Sequence, residues 1–312
     1  MPGMESGPAS AEAEVVTPLR RTGCLRAWPR QLALLMVCVV LVGCGTLRIV
    51  YGQGAMLSYW WLDRYVDFNG LQTPKVHQAL GRWFAWQHAE ALPQALQLLA
   101  SVQTDAARTE VSAQRICGWW AEALSLRDDA YRAALPALGE LARTLTPAQL
   151  THIEARQAKS NEDYREEFLQ PDLKDRLEAS VERAEERLKL LYGSLDRRQS
   201  QQVARWIGNS PFDAERWGQE RQRRQMELMR TLRDIEARQL PPPAAQDALA
   251  GWWASAVHPR APDYQAYVSA LESDNCRFLS EFHRGSSAAQ KQHLQDRLSG
   301  WAEDLRPFTV AP

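Results

Sequence analysis

Leu145-Thr146-Pro147-Ala148-Gln149 opens a long run of strong helix formers near the middle of this 312-residue chain. A Thr followed by Pro is a typical helix start, because the hydroxyl accepts from a first-turn amide and proline lacks an amide that would stay unpaired. Gln149 stands three residues after Thr146, so its side chain can accept from the backbone of the capping residue. The stretch therefore predicts a capping box.

The same phrase recurs along the chain. Leu195 begins a second copy, in which Asp196 replaces the Thr and Gln199 keeps its place. Gln72 and Gln290 also follow a break and precede an apolar residue four positions later. The copies are irregularly spaced, which excludes a regular solenoid and favours duplication of a helical unit.

Ala, Leu, Gln, Glu and Arg dominate the sequence after residue 47, and no convincing strand alternation occurs. We predict an all-α fold, an elongated bundle of antiparallel helical hairpins over residues 48–312. Pro241-Pro242-Pro243 is a stiff connector, and a division into two sub-bundles near 240–244 is one option. The candidate helices are 48–66, 73–101, 106–127, 130–144, 147–169, 172–193, 196–207, 212–238, 244–257, 262–283 and 287–304.

The amino-terminal region has the pattern of a secretory signal. A basic patch precedes the apolar run Leu32–Val42, which is too short to span a membrane. The run ends in Leu41-Val42-Gly43-Cys44, which resembles the bacterial lipobox Leu-x-Gly-Cys. The resemblance implies cleavage between Gly43 and Cys44, and acylation of Cys44. The alternative is an uncleaved signal anchor.

The expected organisation follows from that cut. Residues 1–43 form the signal, with 1–19 disordered, and residues 44–47 form a lipidated tether. Gly45 rather than Asp follows the cysteine, which favours the outer membrane, facing the periplasm, over the inner membrane. The membrane is thus an expected partner through the lipid.

Cys117 and Cys276 are the cysteines that remain after removal of the signal and acylation of Cys44. Two thiols in an oxidising compartment suggest one disulfide. Two buried free cysteines are the alternative, because sequence alone does not show whether they meet.

An aromatic stripe follows the tether. Apolar residues from Tyr51 to Phe68, including Trp60 and Trp61, stand mostly three or four apart, which predicts a helix. The favoured interpretation is a first helix packed into the core. The alternative is a groove for unfolded chains or lipid.

Two resemblances add to these observations. Arg48-x-x-Tyr51 followed by Trp60-x-x-Asp63-x-Tyr65-x-Asp67 resembles a family of uncharacterised proteobacterial lipoproteins, which supplies no activity. Leu145, Thr146 and Gln149, and less closely Leu195 and Gln199, resemble the LTxxQ motif of Spy-type periplasmic chaperones. Those are small all-helical proteins that hold unfolded clients, so the motif implies a helical envelope protein.

No motif points to catalysis. The histidines lack metal-ligand spacing, phosphate loops and nucleophile elbows are absent from the sequence, and the net charge of −1 gives no footprint for nucleic acid. We expect no metal, no cofactor and no nucleic-acid partner. The arginines between Arg216 and Arg233 alternate with glutamates, which favours an ordinary charged helix face over a site for anionic lipid or an acidic partner.

We therefore expect a non-enzymatic, lipid-anchored envelope protein. Its leading role is polypeptide binding, as a holdase-like or scaffold factor whose partners are unfolded or envelope proteins. The alternatives are a structural accessory subunit of an envelope machine and an enzyme acting on envelope glycan or lipid.

Overall fold

The computed structural model describes residues 48, 51–259 and 261–309. These residues form α-helices, a π-helical turn and a short 3₁₀-helix, and no strand occurs among them. The all-α prediction is confirmed. The helices are α1 (Gly54–Val66), α2 (Thr73–Trp86), α3 (Leu92–Ala106), α4 (Ala113–Ala142), α5 (Pro147–Phe168), α6 (Leu173–Tyr192), α7 (Arg197–Asn209), α8 (Ala214–Ala237), α9 (Pro242–Val257), α10 (Pro262–Gly285) and α11 (Ala288–Leu305).

A π-helical turn, Gln87–Ala91, joins α2 to α3 without a break. Pro93 lies in the first turn of α3 and cannot donate a backbone hydrogen bond to the preceding turn. A wider turn absorbs that missing bond. The helix predicted over 73–101 is therefore continuous, but it extends to Ala106.

Helix α4 is the longest helix among the described residues, and it replaces the two helices predicted over 106–127 and 130–144. It begins later than predicted because Ser112 is its N-cap and accepts from the amide of Arg115. It continues through residues 128–130 without a break, and even Pro136 lies inside it. Helices α2, α3, α8, α9 and α10 all pack against it, so α4 is the central element.

Two apolar clusters form the core. The first is built by α3, α6, α7, α10 and α11 around Val203 and Phe282, and the second by α4, α5, α8 and α9 around Ile235 and Ala245. The three prolines from Pro241 lie between Leu240 and Ala245, which both belong to the second cluster. The clusters are thus assembled from interleaved segments of the chain.

Candidate functional site

The structure joins the helix starts that the sequence singles out. Thr146 accepts from the amide of Gln149, and the Gln149 side chain accepts from the amide of Thr146 at 3.0 Å. The buried Gln149 side chain also exchanges two hydrogen bonds with Gln72, donating at 2.7 Å and accepting at 3.1 Å. A further bond to the carbonyl of Asp67, at 2.8 Å, ties the end of α1 to the start of α5.

A second amide pair repeats this arrangement. Asp196 and Ser287 each form a capping box, with Gln199 and Gln290 respectively. Gln199 donates to Gln290 at 2.9 Å and accepts from it at 2.8 Å. Each recurring motif therefore marks one helix start, and the helix starts are joined in pairs through their glutamines.

These glutamines hold helices together. In the Gln72–Gln149 pair both amides spend their donors and acceptors on protein groups, and in the other pair Gln199 and Gln290 bond to each other and to their own helix starts. Leu145 is buried in the second cluster beside them, and Leu195 packs against the first. A buried amide network with its partners satisfied positions the backbone and leaves no group for a ligand.

Cys117 of α4 and Cys276 of α10 are joined in a disulfide, with Cα atoms 5.6 Å apart. The bond lies near the amino-terminal end of α4, whereas the other end of α4 contributes Leu135 and Leu138 to the second cluster. Because α10 belongs to the first cluster, the bond and α4 together connect the two clusters.

The residues of the aromatic signature have separate roles. The Asp63 carboxylate accepts from the amide of Phe68 at 3.0 Å, and Asp67 ends α1 in the left-handed conformation, with φ of 58°. Tyr65 lies under the guanidinium of Arg156. Tyr51 packs against an aromatic group formed by Phe84, His88 and Phe308. Arg48 is exposed.

Helix α1 has an apolar face that points to solvent, and we call its residues Met56, Leu57, Trp60 and Trp61 the aromatic face. Both indoles are 60% exposed. The interpretation of these tryptophans as core residues is therefore wrong. The reason is that α1 is apolar on two sides, and Tyr59 and Val66 on the other side make the contacts with the protein.

An open groove of about 480 Å³ runs between α5 and α8. Met226 on its wall is 62% exposed, and Met229 below it is buried in the second cluster. The amides of Gln157, Gln222 and Gln225 also line it.

Polar pairs fix the walls of the groove. Asn161 of α5 donates to Gln225 of α8 at 2.7 Å, and its carbonyl accepts from Arg221 at 3.1 Å. An ion pair between Glu154 and Arg233 crosses between α5 and α8 among the lining residues. The groove therefore has the exposed Met226 on its wall, amide side chains along it and a charged rim.

The arginines of α8 mostly have partners on the protein. Burial alone would raise the pKa of Glu220, but hydrogen bonds from Arg223 and Arg224 outweigh it and hold this pKa below its usual range. Arg223 also pairs with Glu227 at 2.6 Å. This network makes the charged helix face a structural feature, as the alternation with glutamates favours.

The described residues contain neither a metal-ligand cluster nor a membrane-spanning helix. Within the described ranges, no three His, Cys, Asp or Glu side chains come together as a metal site would require. None of the helices described here has the length and apolar character to span a bilayer. Gly43, Cys44 and the rest of the lipobox lie outside the described residues, so cleavage and acylation stay predictions.

Comparison with known protein families gives a match to the middle of the chain. Neither the curated proteins nor the solved structures contain a match. A model of a family of unknown function, DUF6279, matches residues 64–242. The match spans both helices of the groove and the Gln72–Gln149 pair, whereas the aromatic face precedes it. Because the match covers more than half of the chain, this protein belongs to the DUF6279 family, a family of unknown function.

Proposed function

We propose that this protein is a lipid-anchored envelope protein that binds polypeptide segments reversibly, without catalysis. The anchor is acylated Cys44 in the outer membrane, and the helical domain faces the periplasm. The observation that carries the polypeptide-binding part is the groove between α5 and α8. The lipobox pattern and the LTxxQ-like phrases support the envelope location.

The groove has the chemistry that an extended polypeptide needs. The Met226 side chain is unbranched and polarizable, so it can adapt to apolar side chains of different shape. Amide side chains carry both donors and an acceptor, and those of Gln157 and Gln222 can pair with the backbone of any sequence. Such a surface favours broad, weak recognition over a single specific ligand.

The rim would keep binding reversible. Glu154, Arg233 and the exposed Arg230 place both signs of charge at the edge of the groove. Exposed charges of both signs give modest, salt-screened attraction and stay hydrated. The proposed mechanism is apolar contact at Met226 with polar contacts around it, and it needs no nucleotide.

Suppression of client aggregation by the purified protein tests this proposal. Met226→Glu places a charge in the groove, and Leu190→Glu is the matched control, because Leu190 is an exposed apolar residue of α6 outside the groove. We expect the wild type and Leu190→Glu to suppress aggregation equally and Met226→Glu to lose most of the effect. Equal activity of all three proteins would refute the groove as the binding site.

A single stable partner would favour the accessory-subunit role instead. That role predicts one dominant crosslinked protein and no general suppression of aggregation. An enzyme acting on envelope glycan or lipid predicts turnover of such a substrate, and we expect none.

A further inference from the structure

We infer that the aromatic face of α1 lies on the surface of the lipid bilayer. The inference rests on the proposed anchor at Cys44, and it assigns a second membrane contact to the folded domain itself. The face consists of Met56, Leu57, Trp60 and Trp61, which the protein leaves exposed.

The exposed residues of α1 form one continuous stripe. Gln53, the four residues of the aromatic face and Arg64 are all exposed and are spaced three or four apart, so they share one side of the helix. Arg64 is the charged group of that stripe within the helix, and the exposed carboxylate of Asp67 follows at the helix end. A cationic residue beside tryptophans suits the headgroup region, since its charge reaches phosphate while its stem stays in apolar surroundings.

Tryptophan is the side chain that membrane interfaces favour, because its ring is apolar and its N–H can stay hydrated. A core position would bury such rings, and a client groove would have walls around them. The aromatic face instead stands on the outer side of one helix. None of its residues lines the groove between α5 and α8.

The short chain between Cys44 and α1 would keep this face within reach of the membrane. Nine residues lie between Cys44 and Gly54, where α1 begins, and the ten steps from Cys44 to Gly54 span at most about 35 Å. A helix of this length lies along a surface over about 20 Å. Acylation of Cys44 would therefore hold α1 within reach of the headgroups at a high effective concentration, so weak apolar contacts suffice.

The other side of α1 is held firmly by the protein. The Tyr59 ring stacks on His77 with centroids 4.0 Å apart, and its hydroxyl lies 3.3 Å from the Thr73 hydroxyl. Helix α1 packs on both α2 and α5. Contact of the aromatic face with lipid would thus fix the orientation of the domain, including that of the groove, which α5 lines.

Spin labelling of the acylated protein in vesicles of phosphatidylethanolamine and phosphatidylglycerol tests this inference. One nitroxide replaces Leu57, and the control nitroxide replaces Leu190, which is exposed on α6. We expect the label at 57 to be more accessible to oxygen than to a water-soluble nickel chelate, and the label at 190 to show the reverse.

A matched pair of variants shows whether the indoles cause the effect. Trp60→Ala with Trp61→Ala should move the label at 57 into water. Trp120→Ala with Trp217→Ala removes two exposed indoles elsewhere and should leave the label in lipid. If the label at 57 moves into water in both double variants, the role of the aromatic face is contradicted.

The remaining outcomes separate this inference from the proposed anchor. The mass of the amino-terminal peptide reports acylation of Cys44. An unmodified Cys44 overturns the anchor and the inference with it. Acylated protein with the label at 57 in water overturns the inference alone. A label that is shielded only after unfolded polypeptide is added would make the face a client surface, which also overturns it.

Discussion

Truncation of one buried amide should cost far more stability than truncation of an exposed one. In Gln149→Ala, the Thr146 amide and the Asp67 carbonyl lose the partners that Gln149 supplies, and both bonds to Gln72 disappear. At about 1 kcal/mol for each net hydrogen bond, the loss of these four bonds should lower the free energy of unfolding by about 4 kcal/mol. Gln78→Ala, at an exposed position of α2, should change it by less than about 0.5 kcal/mol.

A double-mutant cycle isolates the amide pair. Gln72 keeps hydrogen bonds to the Thr144 carbonyl and from the Asn69 amide when Gln149 is truncated, so the coupling reports mainly the two bonds between the amides. We expect a coupling of about 1–2 kcal/mol from urea denaturation of the two single variants and the double variant. By contrast, Gln149→Ala and Gln199→Ala affect separate pairs, so their effects on the free energy of unfolding should add.

A coupling below about 0.3 kcal/mol would refute this expectation, since it would mean that the amide pair adds nothing beyond the bonds that each glutamine makes to its own helix start. Equal costs for Gln149→Ala and Gln78→Ala would refute it as well.

Three further predictions concern other contacts. Reduction of the Cys117–Cys276 bond, which closes a loop of sequence separation 159, should lower the free energy of unfolding by about 2–5 kcal/mol in urea denaturation, and an unchanged midpoint would contradict this. Gly54→Ala should destabilise the protein by about 1–3 kcal/mol, because the new Cβ would overlap the ring of Phe84. Gly81→Ala, with open space around it, should be neutral or stabilising in the same melts. Burial lowers the pKa of His283, so the unfolded chain takes up the proton first as the pH falls below about 6.5. The free energy of unfolding should therefore fall by about 1 kcal/mol between pH 7.5 and 5.5. The His283→Gln variant should lose less over the same range.

Local patterns predicted the helix starts, because a capping box involves neighbouring residues. Thr146 with Gln149 and Asp196 with Gln199 are recognisable from spacing alone. The pairing of Gln149 with Gln72, and of Gln199 with Gln290, depends on tertiary packing across many residues, and no local pattern encodes it. The recurrence of the phrase was the signal that these positions share a role.

The exposure of the aromatic face, by contrast, could not be predicted from the sequence pattern. Periodicity shows that α1 is apolar on adjacent sides, but it does not show which side packs on the protein. Trp60 and Trp61 are large and apolar, yet Tyr59 and Val66 occupy the packed side. The groove was also beyond the sequence, because Met226 and Gln157 come together only when α8 packs on α5.

Photo-crosslinking in native envelopes tests directly whether the groove between α5 and α8 binds many different polypeptides. A photoreactive residue at position 226 lies in the groove, and one at position 190 is the control. We expect many crosslinked polypeptides from position 226 and few from position 190. Equal labelling from both positions, or one dominant partner at position 226, would contradict broad polypeptide binding in the groove.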